Sequence, residues 1–491
     1  MTDIIAYEAP ALPVLLTISS FIYLLNVAEH IFSSLISAGL IGSLSIGIIF
    51  GPDASNILPT YIQTSFIIIG YIGLILLVFE AGLSTDINLL YHNIFLSLTV
   101  ALCGVLFPIA ISLLLLHFGF GYTTLQAFGA GASLCSTSLG TTLALLRPEL
   151  RQTKTGAVLL SAALLDDIAG LVLAGIIQSL PFTNSTSSST ISWYTIARPI
   201  LVSFAFAFVT PSIAYVLRKI VTRAPPMWKN LLHGGRIQLF WTVSVLSGFV
   251  AGARYAGTSE LFGAYLAGAF LSYVFWLPSQ NHVSDGHDSN TYPSALLTPQ
   301  GIFTKYLLPL LQHIFSPIFF ASIGAALPIR SLVFADGSRR VIWRGLVYSL
   351  LMILAKAVVG FWLLVWPDRN SGLGWCGIKK SARPKVTRTS HEPKSPRATP
   401  NPGVDKNLES NSVPALSMSR AHSATLIGFA MVARGEIALI VAQLARPLLT
   451  GGIPPETAEP FAVVIWAVVV TTVSGALGVG FLLRSWDKSS L

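Results

Sequence analysis

Asp166 and Asp167 stand side by side at the centre of "SAALLDDIAGLVLAG", a stretch that is otherwise apolar or small. A carboxylate at the middle of a membrane-spanning helix costs roughly 2.5–3.5 kcal/mol on insertion scales, so such acids face a protein interior or an aqueous cavity and mark ion or proton pathways. Successive helical residues point about 100° apart, so the two acids address different neighbours. They still lie close enough to titrate as a coupled pair. A carboxylate that exchanges a proton is also an oxygen ligand for a small hard cation. Proton and cation then compete for one place, which suffices for exchange if that place opens alternately to the two sides. The plainer reading is a pair of acids neutralised by a basic residue for packing alone.

Three further groups belong to the same chemistry. Lys356, in "LMILAKAVVGFW", lies too deep in its apolar stretch for easy snorkelling, and pairing with Asp166 or Asp167 is the economical solution. "GASLCSTSLGTT" crowds Ser133, Ser136, Thr137, Ser138, Gly140, Thr141 and Thr142 into one apolar span, and few of these favour a helix interior. "GFAMVARGEIALIV" places Arg434, Gly435 and Glu436 at the middle of another. Both stretches are expected to unwind, freeing carbonyls for a cation. Arg434 and Glu436 are read more readily as buried ion-pair formers with other helices than as ion ligands. Ordinary small-residue helix packing is the alternative for the Ser/Thr run. Glu29, Glu80 and Glu260 sit at span ends and read as interfacial acids.

The elements that must position these groups follow from composition. Of 491 residues, 53% are hydrophobic and only 10% charged, and the mean hydropathy is +0.70. That excludes an ordinary soluble domain. The chain reads as an all-α polytopic membrane protein, because a helix satisfies its own backbone in lipid and the alternating ten-residue pattern of a barrel is absent. About thirteen spans are expected, each near the ~20 residues needed to cross. An N-terminal segment, 1–11, precedes three spans over 12–82 and three over 94–180. A linker helix follows at 195–217, then three spans over 237–327 with a disordered loop at about 278–300. The lysine-bearing helix covers 341–365, a basic disordered loop 367–422, two last spans 424–483, and a tail 484–491.

The arrangement six, one, six implies two inverted six-helix repeats joined by a linker helix, with the ion site at the midplane. "LVFEAGLSTDI" at the end of the third span and "IFFASIGAALPI" at the end of the tenth occupy matching positions. The two interrupted spans are then the fifth members of the two halves, and broken helices at corresponding positions point to a transport site.

Orientation follows from Lys and Arg. "RPELRQTK" after the fifth span, the loop carrying Arg218, Lys219, Arg223, Lys229 and Arg236, and the stretch with Lys379, Lys380, Arg383, Lys385 and Arg388 agree on a cytoplasmic side. The N-terminus is then outside or lumenal and the C-terminus cytoplasmic. Arg330, Arg339 and Arg340 fall on the other side, so the rule acts as a bias. Asn184, in the opposite loop "PFTNSTSSST", heads a glycosylation sequon that only an outer or lumenal face could use. The net charge of +9 thus orients spans, and no nucleic-acid partner is expected. Cys103, Cys135 and Cys376 have neither disulfide nor zinc spacing. No cofactor is expected.

Several function classes fall away. No filter-like segment argues for a selective channel. No phosphate-binding loop argues for ATP drive. Adjacent acids on one helix are unlike the facing carboxylates of a protease. Secondary active exchange of Na+, or of Li+ or K+, for H+ leads. A K+/H+ exchanger of an endomembrane, a cation channel and a non-transporting membrane scaffold remain the alternatives, and the membrane itself is either the plasma membrane or an internal one.

These residues resemble the monovalent cation:proton antiporters, the sodium/hydrogen exchanger type, in the branch with paired aspartates. "ARGEIALIVAQ" is similar to that family's twelfth-span segment and "LVFEAGL" to its third. The long stretch before the twelfth span looks like the insertions of fungal members. The resemblance implies Asp167 as the ion ligand and Asp166 as the partner of Lys356. It implies crossed discontinuous helices 5 and 12, a mobile core moving against a scaffold that commonly forms a homodimer, and electrogenic exchange of two protons for one cation. Many relatives carry an acid or proline in the unwound fifth-helix motif, where this chain has Ser138, Leu139 and Gly140.

Overall fold

In the computed structural model, the structure describes residues 9–36, 39–85, 94–138, 154–180, 193–223, 235–275, 298–327, 340–365, 420–451 and 459–489. Among these, nine helices are long and apolar enough to cross a membrane. In chain order the helices are α1 (Leu12–Ile36), α2 (Gly39–Phe50), α3 (Thr60–Leu83), α4 (Ile94–Ser112, continued by a wider turn over Leu113–Gly119), α5 (Thr124–Ser133), α6 (Lys154–Ser179) and α7 (Trp193–Arg223). Then come α8 (Gly235–Ala256) and α9 (Glu260–Val274), and α10 (Pro299–Ala325) and α11 (Arg340–Val365). The chain ends with α12 (Arg420–Ala430), α13 (Glu436–Leu444), α14 (Arg446–Thr450) and α15 (Glu459–Ser489). The shorter apolar helices α2 and α9 overlap the expected second and ninth spans, and α5 and α12–α13 overlap the expected fifth and twelfth, of which the fifth is described only as far as Ser138.

Packing divides the helices into two groups. α1, α2, α3, α8, α9 and α10 pack mainly on one another, with α7 against α9 and α6. α4, α5, α6, α11, α12, α13 and α15 form the other group. In the first group glycines set the approach. A side chain at Gly82 of α3 or Gly268 of α9 would meet the backbone of the other helix, and Gly47 of α2 and Gly324 of α10 are related in the same way. Lipid tails are as apolar as a leucine, so close backbone approach rather than a hydrophobic drive holds such pairs. The outward faces stay apolar, as Leu201, Phe204, Phe208, Ile213 and Ile220 of α7 do.

Several ends differ from the sequence reading. α10 begins eight residues earlier than its expected start at Leu307, inside the stretch read as loop. Thr298 accepts the N–H of Gly301 (3.1 Å) and Pro299 opens the first turn, a start signal that polar surroundings hide. α15 runs on through 484–489, read as a tail. The basic loop 367–422 lies almost wholly outside the described residues, apart from 420–422, which open α12. Most of the 278–300 loop, Gly140 and Asn184 also lie outside the described residues.

Candidate functional site

The paired acids sit at the midpoint of α6, and both are buried. Facing them is the stretch after α5. That helix starts with a reciprocal cap between Thr123 and Gln126 and ends at Ser133, and the chain then runs unwound through Ser138. Ser136 and Thr137, neighbours in this non-helical stretch, address one acid each. The Ser136 hydroxyl donates to Asp167 Oδ1 at 2.9 Å. The Thr137 hydroxyl donates to Asp166 Oδ2 at 2.8 Å.

Lys356 of α11 completes the second arrangement. Its Nζ donates to Asp166 Oδ2 at 2.5 Å and to Thr137 Oγ1 at 2.9 Å. Neither Asp166 nor Lys356 has any exposed surface. A buried ion pair is stable only when geometry and added hydrogen bonds offset desolvation, and Thr137 supplies the added bond. Asp166 Oδ1 finds no hydrogen-bond partner among the described residues. The sequence left the partner of Lys356 open between the two acids; the geometry gives it to Asp166.

The second break crosses the first. α12 stops at Ala430, residues 431–435 are not helical, and α13 starts at Glu436. The Ser138 N–H donates to the Ala433 carbonyl at 2.9 Å. Arg434, fully buried, donates through Nη1 to the carbonyls of Ser136 (2.8 Å) and Cys135 (3.4 Å). The bonded partners of its guanidinium are therefore backbone carbonyls, where the sequence reading favoured an acid, and its Nε and Nη2 have none among the described residues. The C-terminal ends of α5 and α12 both turn negative dipole ends towards the crossing, which a guanidinium offsets. Gly435 is needed for proximity: a Cβ there would lie 2.6 Å from Ser138 Oγ. The side chain of Glu436 lies outside the described residues.

Sequence reasoning missed several participants. Thr472 of α15 donates to the Arg434 carbonyl (3.0 Å) and fixes the second break from behind. The Met431 carbonyl lies 3.4 Å from Thr137 Oγ1. Gly170 lets α6 approach Ser136, whose Cβ would be 3.2 Å from a side chain there. Gly170 stands three residues after Asp167, on the same helix face, and that spacing was the available signal. Thr472 and Met431 carried none, because only the crossing brings them in.

The set of groups is one carboxylate held by a hydroxyl, a second carboxylate neutralised by an ammonium, and backbone carbonyls at two crossed breaks. No cluster of three or more His, Cys, Asp or Glu residues occurs among the described residues. One carboxylate with neutral oxygens beside it can hold a singly charged hard cation.

Comparison with known proteins bears on this directly. The family description "Sodium/hydrogen exchanger, transmembrane" matches residues 17–485. A probable Na(+)/H(+) antiporter GerT of Bacillus cereus is 25% identical over 322 residues, covering 65% of this chain and 74% of that protein. A Na(+)/H(+) antiporter of Enterococcus hirae is 23% identical over 431 residues, 86% of either chain. The fold is that of the sodium proton antiporter MjNhaP1 from Methanocaldococcus jannaschii, with a TM-score of 0.59 at 14% identity over 96% of this chain and 98% of that one.

Proposed function

The chain belongs to the sodium/hydrogen exchanger family, and on that premise we propose that it exchanges Na+ for H+ at a midplane site centred on Asp167. It is an integral multi-pass membrane protein. The observation that carries the site assignment is the division of labour at the first break. Asp166 is committed to Lys356 and Thr137, while Asp167 is held by the Ser136 hydroxyl beside unwound backbone.

In this account the Asp167 carboxylate holds either a proton or a cation, never both. A proton arriving from one side displaces the cation, and a cation arriving from the other displaces the proton. Ser136 orients the carboxylate, and carbonyls of the breaks around Ser138 and Arg434 supply neutral oxygens. Arg434 holds the first break open by binding the carbonyls of Cys135 and Ser136. α4, α5, α6, α11, α12, α13 and α15 act as the moving core, and α1–α3 with α8–α10 as a scaffold that pairs with a second copy. Asp167 gives up one proton when the cation binds, and Lys356 gives up the second when the cation draws the Asp166 carboxylate away from it, so two protons leave for one cation and exchange is electrogenic. Each net charge moved is then worth about 2.3 kcal/mol per 100 mV of membrane potential. The N-terminus lies outside.

Purified protein in liposomes tests this reading. An imposed pH gradient should collapse when Na+ is added, and Li+ and K+ added in turn rank the ions. A gradient that no monovalent cation dissipates would refute the exchanger; cation flux without any pH gradient coupling would indicate a channel.

A further inference from the structure

Gly104 of α4 lies against the buried pair. A Cβ built there would sit 3.1 Å from Asp166 Oδ1, 3.1 Å from Asp166 Oδ2 and 3.1 Å from Lys356 Nζ. Those distances are tighter than ordinary carbon contacts, so any side chain at 104 must push something aside. The glycine's own second Cα hydrogen points along that direction, at a carboxylate whose Oδ1 has no hydrogen-bond partner among the described residues. A Cα–H is a weak donor, and here it faces that carboxylate.

What would yield is decided by how α4 is held. On the side of Gly104 two turns along α4, the Ser112 and Tyr348 hydroxyls lie 2.6 Å apart, both buried, and tie α4 to α11. Next to Gly104, the Trp362 indole N–H of α11 points at Cys103 Sγ, 3.1 Å away. α4 is therefore fastened to α11 at two places that bracket the level of Lys356, and it also packs on α6. With the helix fastened, the charges must move.

We propose that Gly104 is a positioning residue for the ion site: its bare Cα packs against the Asp166–Lys356 pair and fixes how that pair sits on Thr137. The consequence reaches the ion through the chain itself. Thr137 bonds both members of the pair, and Ser136, its neighbour, holds Asp167. A wedge at 104 shifts Thr137 and so loosens the hydroxyl that orients Asp167. The proposal rests on the site assignment made above.

The test is the half-saturating Na+ concentration of purified protein, read from Na+-dependent thermal stabilisation, which needs no transport activity. Gly104→Ala should raise it roughly three- to tenfold, as expected when contacting residues are coupled. In an Asp166→Asn/Lys356→Ala background, where space has opened beside position 104, the same substitution should change it by less than about twofold. Gly248→Ala, at a glycine with nothing within 4 Å, is the control and should leave it unchanged. An unchanged value in Gly104→Ala, or an equal shift in both backgrounds, would overturn the proposal. If Gly104→Ala alone does not reach the membrane, the triple variant should restore it; a triple variant that is also lost would place the crowding in helix packing and overturn the proposal as well. Asp167→Asn measured alongside keeps the readings apart. If it still responds to Na+, the site assignment fails; if it does not while Gly104→Ala is silent, only the role of Gly104 fails.

Discussion

Asp166 and Asp167 are neighbours in sequence and opposites in circumstance. One shares its oxygen with an ammonium and a hydroxyl, and the other accepts the Ser136 hydroxyl. Their exchange for amides should separate the roles. A contact to a charged group is worth about 1.5–3 kcal/mol net, so Asp167→Asn should weaken Na+ binding by at least about tenfold and abolish exchange, with normal amounts of protein in the membrane. Retained exchange in Asp167→Asn would refute the assignment. Lys356→Ala leaves a buried acid unpaired and should destabilise the protein by about 3–5 kcal/mol, whereas Asp166→Asn/Lys356→Ala, which removes both charges, should recover much of that loss. Thermal unfolding of the two variants checks this, and equal losses would contradict it. The charged members of the site were legible in the sequence because a charge in an apolar run has few innocent explanations. The neutral members were not. Thr472 and the Met431 carbonyl resemble hundreds of similar groups elsewhere, and only the crossing of two breaks gives them work.

At the level of elements, the two breaks explain each other. α5 and α12 each stop short, and the ends are satisfied across the crossing by the Ser138 N–H, the Arg434 guanidinium and the Thr472 hydroxyl. An unsatisfied backbone group in an apolar interior costs several kcal/mol, so non-helical backbone at such depth persists only where protein covers it. Gly435→Ala would place a carbon 2.6 Å from Ser138 Oγ and should force the crossing apart, at about 1–3 kcal/mol as overpacking does, with a fall in exchange. Wild-type stability and exchange in that variant would show that the crossing tolerates separation. Both breaks were foreseeable from Ser, Thr, Gly and Arg inside apolar spans, but their partnership was not. Gly82 in "LVFEAGLSTDI" and Gly324 in "IFFASIGAALPI" each press on the backbone of a short helix, α9 and α2 respectively. The early start of α10 escaped the sequence reading because its cap, Thr298 with Pro299, lies in a stretch whose polarity reads as loop.

Considered whole, the molecule is a set of apolar helices whose buried charged side chains, among the described residues, are Asp166, Asp167, Lys356 and Arg434, gathered at the two breaks. The fold class was legible because 10% charge over 491 residues leaves no soluble alternative, while helix ends depended on caps and on neighbours. A single carboxylate shared by two ligands predicts a reciprocal dependence for the entire protein. Protons and Na+ compete, so each unit rise in pH should lower the half-saturating Na+ concentration, by up to about tenfold per unit where protons still occupy the site, and the dependence should vanish where they do not. A half-saturation that rises with pH, or ignores it throughout, would contradict competition. The most direct measurement is proton release on ion binding: purified protein in weakly buffered solution near neutral pH, with saturating Na+ added and the protons counted. The account predicts release from the wild type and none from Asp167→Asn. Na+ binding by the wild type without proton release, or equal release from Asp167→Asn, would contradict it.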